Sequence, residues 1–165
     1  MSDILYSPWR LQYILSNKDK ECIFCLKPSE NNDEKHLILY RSELSFVIMN
    51  IFPYNNGHLM VVPNKHVPNL NGLSKEEIDD LFETVQLCEA VITKVYSPDG
   101  LNIGLNLGKV AGAGIDEHLH VHIVPRWSGD VNFMSAIGGT RVIPESFEQA
   151  YSKLKEQFDN EKTRK

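Results

Sequence analysis

Three histidines alternate with aliphatic residues in His118-Leu119-His120-Val121-His122-Ile123-Val124. Successive side chains of an extended strand point to opposite faces. The spacing therefore predicts all three imidazoles on one face, with Leu119, Val121 and Ile123 turned into a core. Stacked imidazoles add nothing to apolar burial and need hydrogen-bond partners, so the run points to chemistry. Three chemistries use such histidines. A metallohydrolase of the HxHxDH type needs an acid before the last histidine, where Val121 stands. A cupin-type iron site needs a nearby glutamate and a distant histidine, yet residues 123–130 supply only Asp130. The third is nucleophilic attack on phosphorus, which gives a phosphoramidate that a second acceptor resolves.

Two further features could carry chemistry. Cys22-Ile23-Phe24-Cys25 is a CxxC, which reads as a zinc half-site or a redox pair. A thioredoxin-type pair sits between strand and helix of a parallel fold, which this chain lacks. The run Gly108-Lys109-Val110-Ala111-Gly112-Ala113-Gly114 suits phosphate, because glycines let backbone amides converge on an anion.

These groups need a scaffold. Ser74 and Glu77 form a capping box, and Ile78, Leu81, Phe82, Val85, Cys88, Ile92 and Val95 follow at helical spacing. That predicts a helix over 75–96, with Cys88 as a core residue and SPDG as the stop. A second helix is expected over about 145–158, followed by a solvated tail, DNEKTRK. Residues 28–35 (PSENNDEK) read as a polar loop. Strand-like runs are HLILYR, LSFVIMN, HLMVVP, LNIGLNL and HLHVHIVP, with His36 an incidental member of the first. Several connections are too short for crossover helices, so the sheet should be antiparallel. The fold class is α+β, with helices covering one face of an antiparallel sheet.

At 165 residues, 42% hydrophobic and 24% charged, the chain has the profile of one ordinary soluble domain. Its net charge of −5 argues against a broad nucleic-acid-binding surface. No apolar run approaches the roughly 18 residues of a membrane span. MSDILYSPWR lacks a secretory pattern, so a cytoplasmic location is expected.

The chain resembles the histidine-triad (HIT) family, whose signature is His-φ-His-φ-His-φ-φ with φ apolar; residues 118–124 match every position. NIFPYNNGHLMVVPNKHV and GLNLGKVAGAGIDEHLHVHIVPRW extend the resemblance over about residues 20–127. SPWRLQYI with CIFC looks most like the microbial branch that contains diadenosine tetraphosphate phosphorylases. The resemblance implies a single HIT domain over 1–165, with a sheet of about five strands, one long helix and a C-terminal helix. It also implies cleavage at the α-phosphate of dinucleoside polyphosphates through a nucleotidyl-histidine, with phosphate or water as acceptor. A purine nucleoside phosphoramidase and a nucleotide sensor with little turnover are the alternatives.

By the same resemblance His120 matches the nucleophile, its Nδ1 proton held by the carbonyl of His118. His122 matches a contact to α-phosphate oxygens, and His58 a histidine near the scissile bond. Asn106 matches an amide that touches phosphate or the leaving group, and Asn50 a ribose contact. Ile51 and Phe52 read equally as base walls or as core, and Trp127 as a cover for the pocket or a loop anchor. Lys109, Gly112, Ala113 and Gly114 belong to the phosphate loop. Many relatives carry a hydroxyl-bearing side chain there; with Ala113 and Gly114 in that neighbourhood, the contacts must come from amides or from elsewhere. For zinc, the resemblance implies Cys22, Cys25, His66 and His118 as a closed structural site that also supports His120. No organic cofactor is expected, and the partners implied are the nucleotide substrate and a second copy of the chain in a homodimer.

Overall fold

The computed structural model describes residues 22–130 and 143–162. The SPWRLQYI motif lies outside the described residues. In chain order the elements are α1 (Ile23–Ser29), α2 (Asp33–His36), β1 (Ile38–Arg41), β2 (Ser45–Met49), β3 (Leu59–Pro63), α3 (Lys75–Tyr96), β4 (Gly100–Leu105), β5 (Val121–Arg126) and α4 (Phe147–Lys162). Short 3-10 turns occupy Leu70–Gly72 and Lys109–Ala111. The strands form one antiparallel sheet in the order β1-β2-β3-β5-β4. This is the α+β architecture expected from the sequence.

Helix α3 begins where the capping box predicts: the Ser74 hydroxyl accepts the Glu77 amide, and Glu77 returns a bond to the Ser74 amide. Its inner stripe is Leu81, Thr84, Val85, Cys88, Val91 and Ile92, packed on Val47, Leu59, Val61, Leu119, Val121 and Ile123. Cys88 is fully buried, and burial pushes its thiol pKa far up. Phe82, expected on this stripe, is exposed instead. It lies about 100° around the axis from Leu81, beyond the reach of the sheet. Helix α4 docks by Leu154 and Phe158, with Phe158 stacked on Tyr40 and the Tyr151 hydroxyl on the Ile38 carbonyl. It runs four residues past its expected end, to Lys162, into the stretch expected to be a solvated tail.

Alternate residues of β2 and β3 supply a second core on the opposite face. There Phe46, Ile48, Met60 and Val62 meet Phe24 of α1. Both faces of the central strands are therefore covered, one by α3 and α4 and the other by α1, where helices were expected on one face; β2 and β3 are buried at every position.

Three local expectations change. PSENNDEK is not a loop: it holds the end of α1 and most of α2. Asn32 caps the Lys35 amide, Glu30 binds Lys35 and His36, and Asp33 pairs with Arg41. His36 is not in a strand. It closes α2, buried against Glu30, before a left-handed turn at Leu37. The histidine run also enters the sheet late, since β5 begins only at Val121. The Leu119 amide bonds instead to the Val67 carbonyl, 2.6 Å away, beyond the end of β3. The alternation survives: Leu119, Val121 and Ile123 all lie in the α3-facing core.

Candidate functional site

Strand β5 lies inside the sheet, and His122 is registered between Met60 on β3 and Gly104 on β4. His58 sits just before β3, so the sheet brings residues 64 apart in sequence into contact. His58 Nε2 lies 2.9 Å from His122 Nδ1. The rings of His120 and His122 meet edge to face at 4.8 Å.

Hydrogen bonds to groups with only one possible role set the ring protons. The Tyr54 backbone amide can only donate, and it lies 3.0 Å from His58 Nδ1. His58 must therefore carry its proton on Nε2, which donates to His122 Nδ1. His122 then carries its proton on Nε2. A carbonyl can only accept, so His120 Nδ1 donates to the His118 carbonyl at 2.8 Å. That leaves the lone pair of His120 on Nε2. By the same logic His118 Nε2 donates to the Pro63 carbonyl at 2.9 Å, and His118 Nδ1 is bare.

Burial lowers the pKa of His120, against the opposite pull of the His118 carbonyl. His122 is pushed down to about 4, first by burial and then by the neighbouring His120. At neutral pH both rings are uncharged, and His120 presents an unprotonated nitrogen, the form a nucleophile requires.

Two aromatic residues that the sequence did not single out hold these rings. Phe24, between the two cysteines and 2% exposed, packs 5.1 Å from His120 and 5.5 Å from His118. Tyr54 packs 4.8 Å from His58 and 5.8 Å from His122. Their positions inside CIFC and PYNNGH were the only available signal.

Around the histidines, Asn50 donates its amide to the His58 carbonyl and accepts the Phe52 amide on its side-chain oxygen. Ile51 and Phe52 are 44% and 37% exposed, so neither is core. Gly108 and Gly112 have positive φ of 83° and 94°, as the turn between β4 and the triad requires. A Cβ at Gly112 would lie 3.9 Å from Asn106 Nδ2, which places this loop beside Asn106. Lys109 extends into solvent, 3.6 Å from Asp116. Ala113 is buried and Gly114 exposed. Trp127 meets Tyr96 edge to face at 6.4 Å, at the end of α3.

Cys22, Cys25, His66 and His118 bring one ligand atom each within 4.8 Å of one another. Sγ–Nδ1 separations are 3.3 Å for Cys22–His118, 3.3 Å for Cys25–His66 and 3.6 Å for Cys25–His118. Tetrahedral zinc with ordinary Zn–S and Zn–N bonds needs S–N edges of about 3.6 Å. The bare Nδ1 of His118 points the right lone pair into this cluster, so the donor set fits zinc.

The HIT domain model matches residues 31–129. Over 114 residues the chain is 48% identical to the AP-4-A phosphorylase of Mycobacterium tuberculosis strain H37Rv; the match takes in 69% of this chain and 58% of that protein. It is 41% identical over 93 residues to the asymmetrical bis(5'-nucleosyl)-tetraphosphatase of Schizosaccharomyces pombe, covering 56% of this chain and 50% of that protein. The matched region thus spans only about half the length of these relatives. A Zn-bound histidine triad family protein from Mycobacterium smegmatis superposes with a TM-score of 0.70 at 26% identity, over 88% of this chain and 98% of that one.

Proposed function

The chain belongs to the HIT domain family, and on that premise we propose that it cleaves dinucleoside polyphosphates through a nucleotidyl-His120 intermediate. The observation that carries this reading is the state of His120: Nδ1 donated to the His118 carbonyl, Nε2 bare, and the ring kept neutral by burial. The Nε2 lone pair attacks the α-phosphorus, forming an N–P bond as the P–O bond to the leaving polyphosphate breaks. The charge that develops on the imidazole is stabilised through Nδ1–H by the carbonyl. In the second step an oxygen of phosphate or water attacks phosphorus, the N–P bond breaks, and the pair returns to Nε2. His122 donates Nε2–H to a non-bridging α-phosphate oxygen, and His58 holds His122 in that tautomer.

Asn50 takes the ribose hydroxyls, with exposed Ile51 and Phe52 as walls for the base. Asn106 contacts the leaving phosphates, helped by amides of Gly112, Ala113 and Gly114. Lys109 reaches the phosphates only by leaving Asp116, 3.6 Å away. Trp127 is linked to the turn before His58 through Tyr96, whose ring packs against Gly57. Cys22, Cys25, His66 and His118 would hold zinc, which supplies a structural crosslink with no open coordination position. Through those ligands, α1 and the His118 carbonyl are held against His120. A thiol pair of this kind suits a reducing compartment such as the cytoplasm.

A homodimer fits the exposed face of β4, which among the described residues pairs only with β5 and presents Ile103 at 43% exposure. A second copy pairing along this edge would satisfy its backbone groups and cover Ile103.

The 48% identity to a phosphorylase favours phosphate as the acceptor. Incubation with diadenosine tetraphosphate in saturating phosphate should give ADP and ATP. AMP and ATP would retain the histidine chemistry with water as acceptor, and intact substrate would refute the reading.

A further inference from the structure

Residues 143–150 lie beyond the stretch that matches the family model, yet one of them reaches the turn that leads into His58. Glu145 Oε2 accepts the Asn56 side-chain amide at 3.1 Å and the Tyr96 hydroxyl at 2.9 Å. Lys153 Nζ lies 2.6 Å from the other oxygen, and the Glu145 side chain is only 8% exposed. One carboxylate oxygen thus joins the catalytic turn to the end of α3, and the other ties both to α4.

The turn is held tightly. Asn55 donates to the Pro125 carbonyl at 3.0 Å, anchoring it to β5. Gly57, at φ +71°, lies so close to Tyr96 that a Cβ there would come within 2.7 Å of the ring. The Tyr96 ring therefore presses on the residue before His58 while its hydroxyl is fixed by Glu145. Tyr54, at the head of this turn, supplies the backbone amide that keeps His58 Nδ1 unprotonated. A turn displaced by a fraction of an ångström would withdraw that donor. It would also release His58 Nε2 from His122.

We propose that Glu145 is a positioning residue for catalysis: by clamping Asn56 and Tyr96 it fixes the 54–58 turn, and so the tautomer and aim of the His58–His122 pair. This rests on the cleavage reading above for its kinetic consequence, but the state of His58 can be read without turnover.

The test combines kinetics on diadenosine tetraphosphate with nitrogen NMR of histidine-labelled protein, for wild type, Glu145→Ala, Glu145→Gln, Asn56→Ala and Lys153→Ala. Misplacing a reacting group by about 1 Å costs up to roughly a hundredfold, so Glu145→Ala should lose about ten- to a hundredfold in kcat per folded molecule, with KM within about threefold. Its His58 signals should move from one Nε2-protonated form to a mixture of tautomers. Glu145→Gln retains an oxygen that can accept both donors, so it should recover most of the kcat and the single tautomer. Lys153→Ala cuts only the tie to α4 and leaves the oxygen that holds Asn56 and Tyr96, so it should lose less kcat than Glu145→Ala and keep the single His58 tautomer. Should Glu145→Ala fail to fold, Asn56→Ala reports the same link from the other end and should show the same His58 change. Unchanged His58 signals in folded Glu145→Ala, or in Asn56→Ala, would overturn the proposal. So would a Glu145→Gln enzyme as slow as Glu145→Ala. If wild type cleaves nothing, the cleavage reading fails on its own, and the His58 signals still decide the positioning role.

Discussion

Acid should weaken the folded state through His122 within a definite pH window. In the unfolded chain its imidazole takes a proton near 6.5, whereas in the fold burial and His120 hold its pKa down to about 4. Between those values the unfolded state binds more protons than the folded one, so stability falls as pH falls. Above about 6.5 and below about 4 this contribution is flat. At about 1.4 kcal/mol per pH unit the full difference is about 3 kcal/mol. His122 is only partly buried, and solvent screening reduces the expected effect to about 1–2 kcal/mol. The assay is urea unfolding of wild type and His122→Asn at several pH values across this window. Asparagine cannot titrate, and its side-chain oxygen can still accept the His58 Nε2 proton. The stability difference between the two proteins should be constant near neutrality and shift by about 1–2 kcal/mol, against wild type, as the pH is lowered to about 4. Parallel curves, agreeing within about 0.5 kcal/mol throughout, would refute the assignment of the depressed pKa to His122 and the neutral hydrogen-bonded pair drawn from it.

Replacing His120 by alanine should reduce kcat by at least about a thousandfold while nucleotide binding persists, because the covalent route is lost; labelled nucleotide trapped on the variant would contradict this. Purified protein should contain about one zinc per chain, and Cys25→Ser should lower both the metal content and the melting temperature; metal analysis of zinc-replete protein settles it. Phe24→Ala should destabilise the fold by about 3 kcal/mol, since the ring is buried against the second core, and denaturant unfolding measures the loss. Ile103→Glu should leave a monomer by light scattering if β4 is the dimer edge, since a charge on that edge opposes pairing.

The local signals in this chain were strong where one residue's chemistry sufficed. Ser74 and Glu77 mark the start of α3 because a capping box is satisfied within four residues. The period-2 pattern at 118–124 sorts histidines from core residues whether or not the backbone is already paired in a sheet. PSENNDEK misled because its order comes from Arg41 and from its own short-range pairs, while its composition is that of a loop. Ile51 and Phe52 could be core or wall on sequence alone. Packing places both at the surface, because the turn after Asn50 carries them away from the sheet.

What the sequence determined by itself was the set of reactive groups and the periods that carry them: the alternating histidines, the CxxC, the glycine loop and the long amphipathic helix. Those depend on neighbours a few positions away, and backbone geometry converts such spacing directly into a shared face. Only the tertiary structure decided which nitrogen of His58, His122 and His118 carries the proton. The Tyr54 amide sets His58, His58 sets His122, and the Pro63 carbonyl sets His118. It alone brought Phe24 against His120 and Glu145 against Asn56. A ring's tautomer and pKa depend on donors, acceptors and burial supplied from across the fold, and spacing along the chain does not encode them.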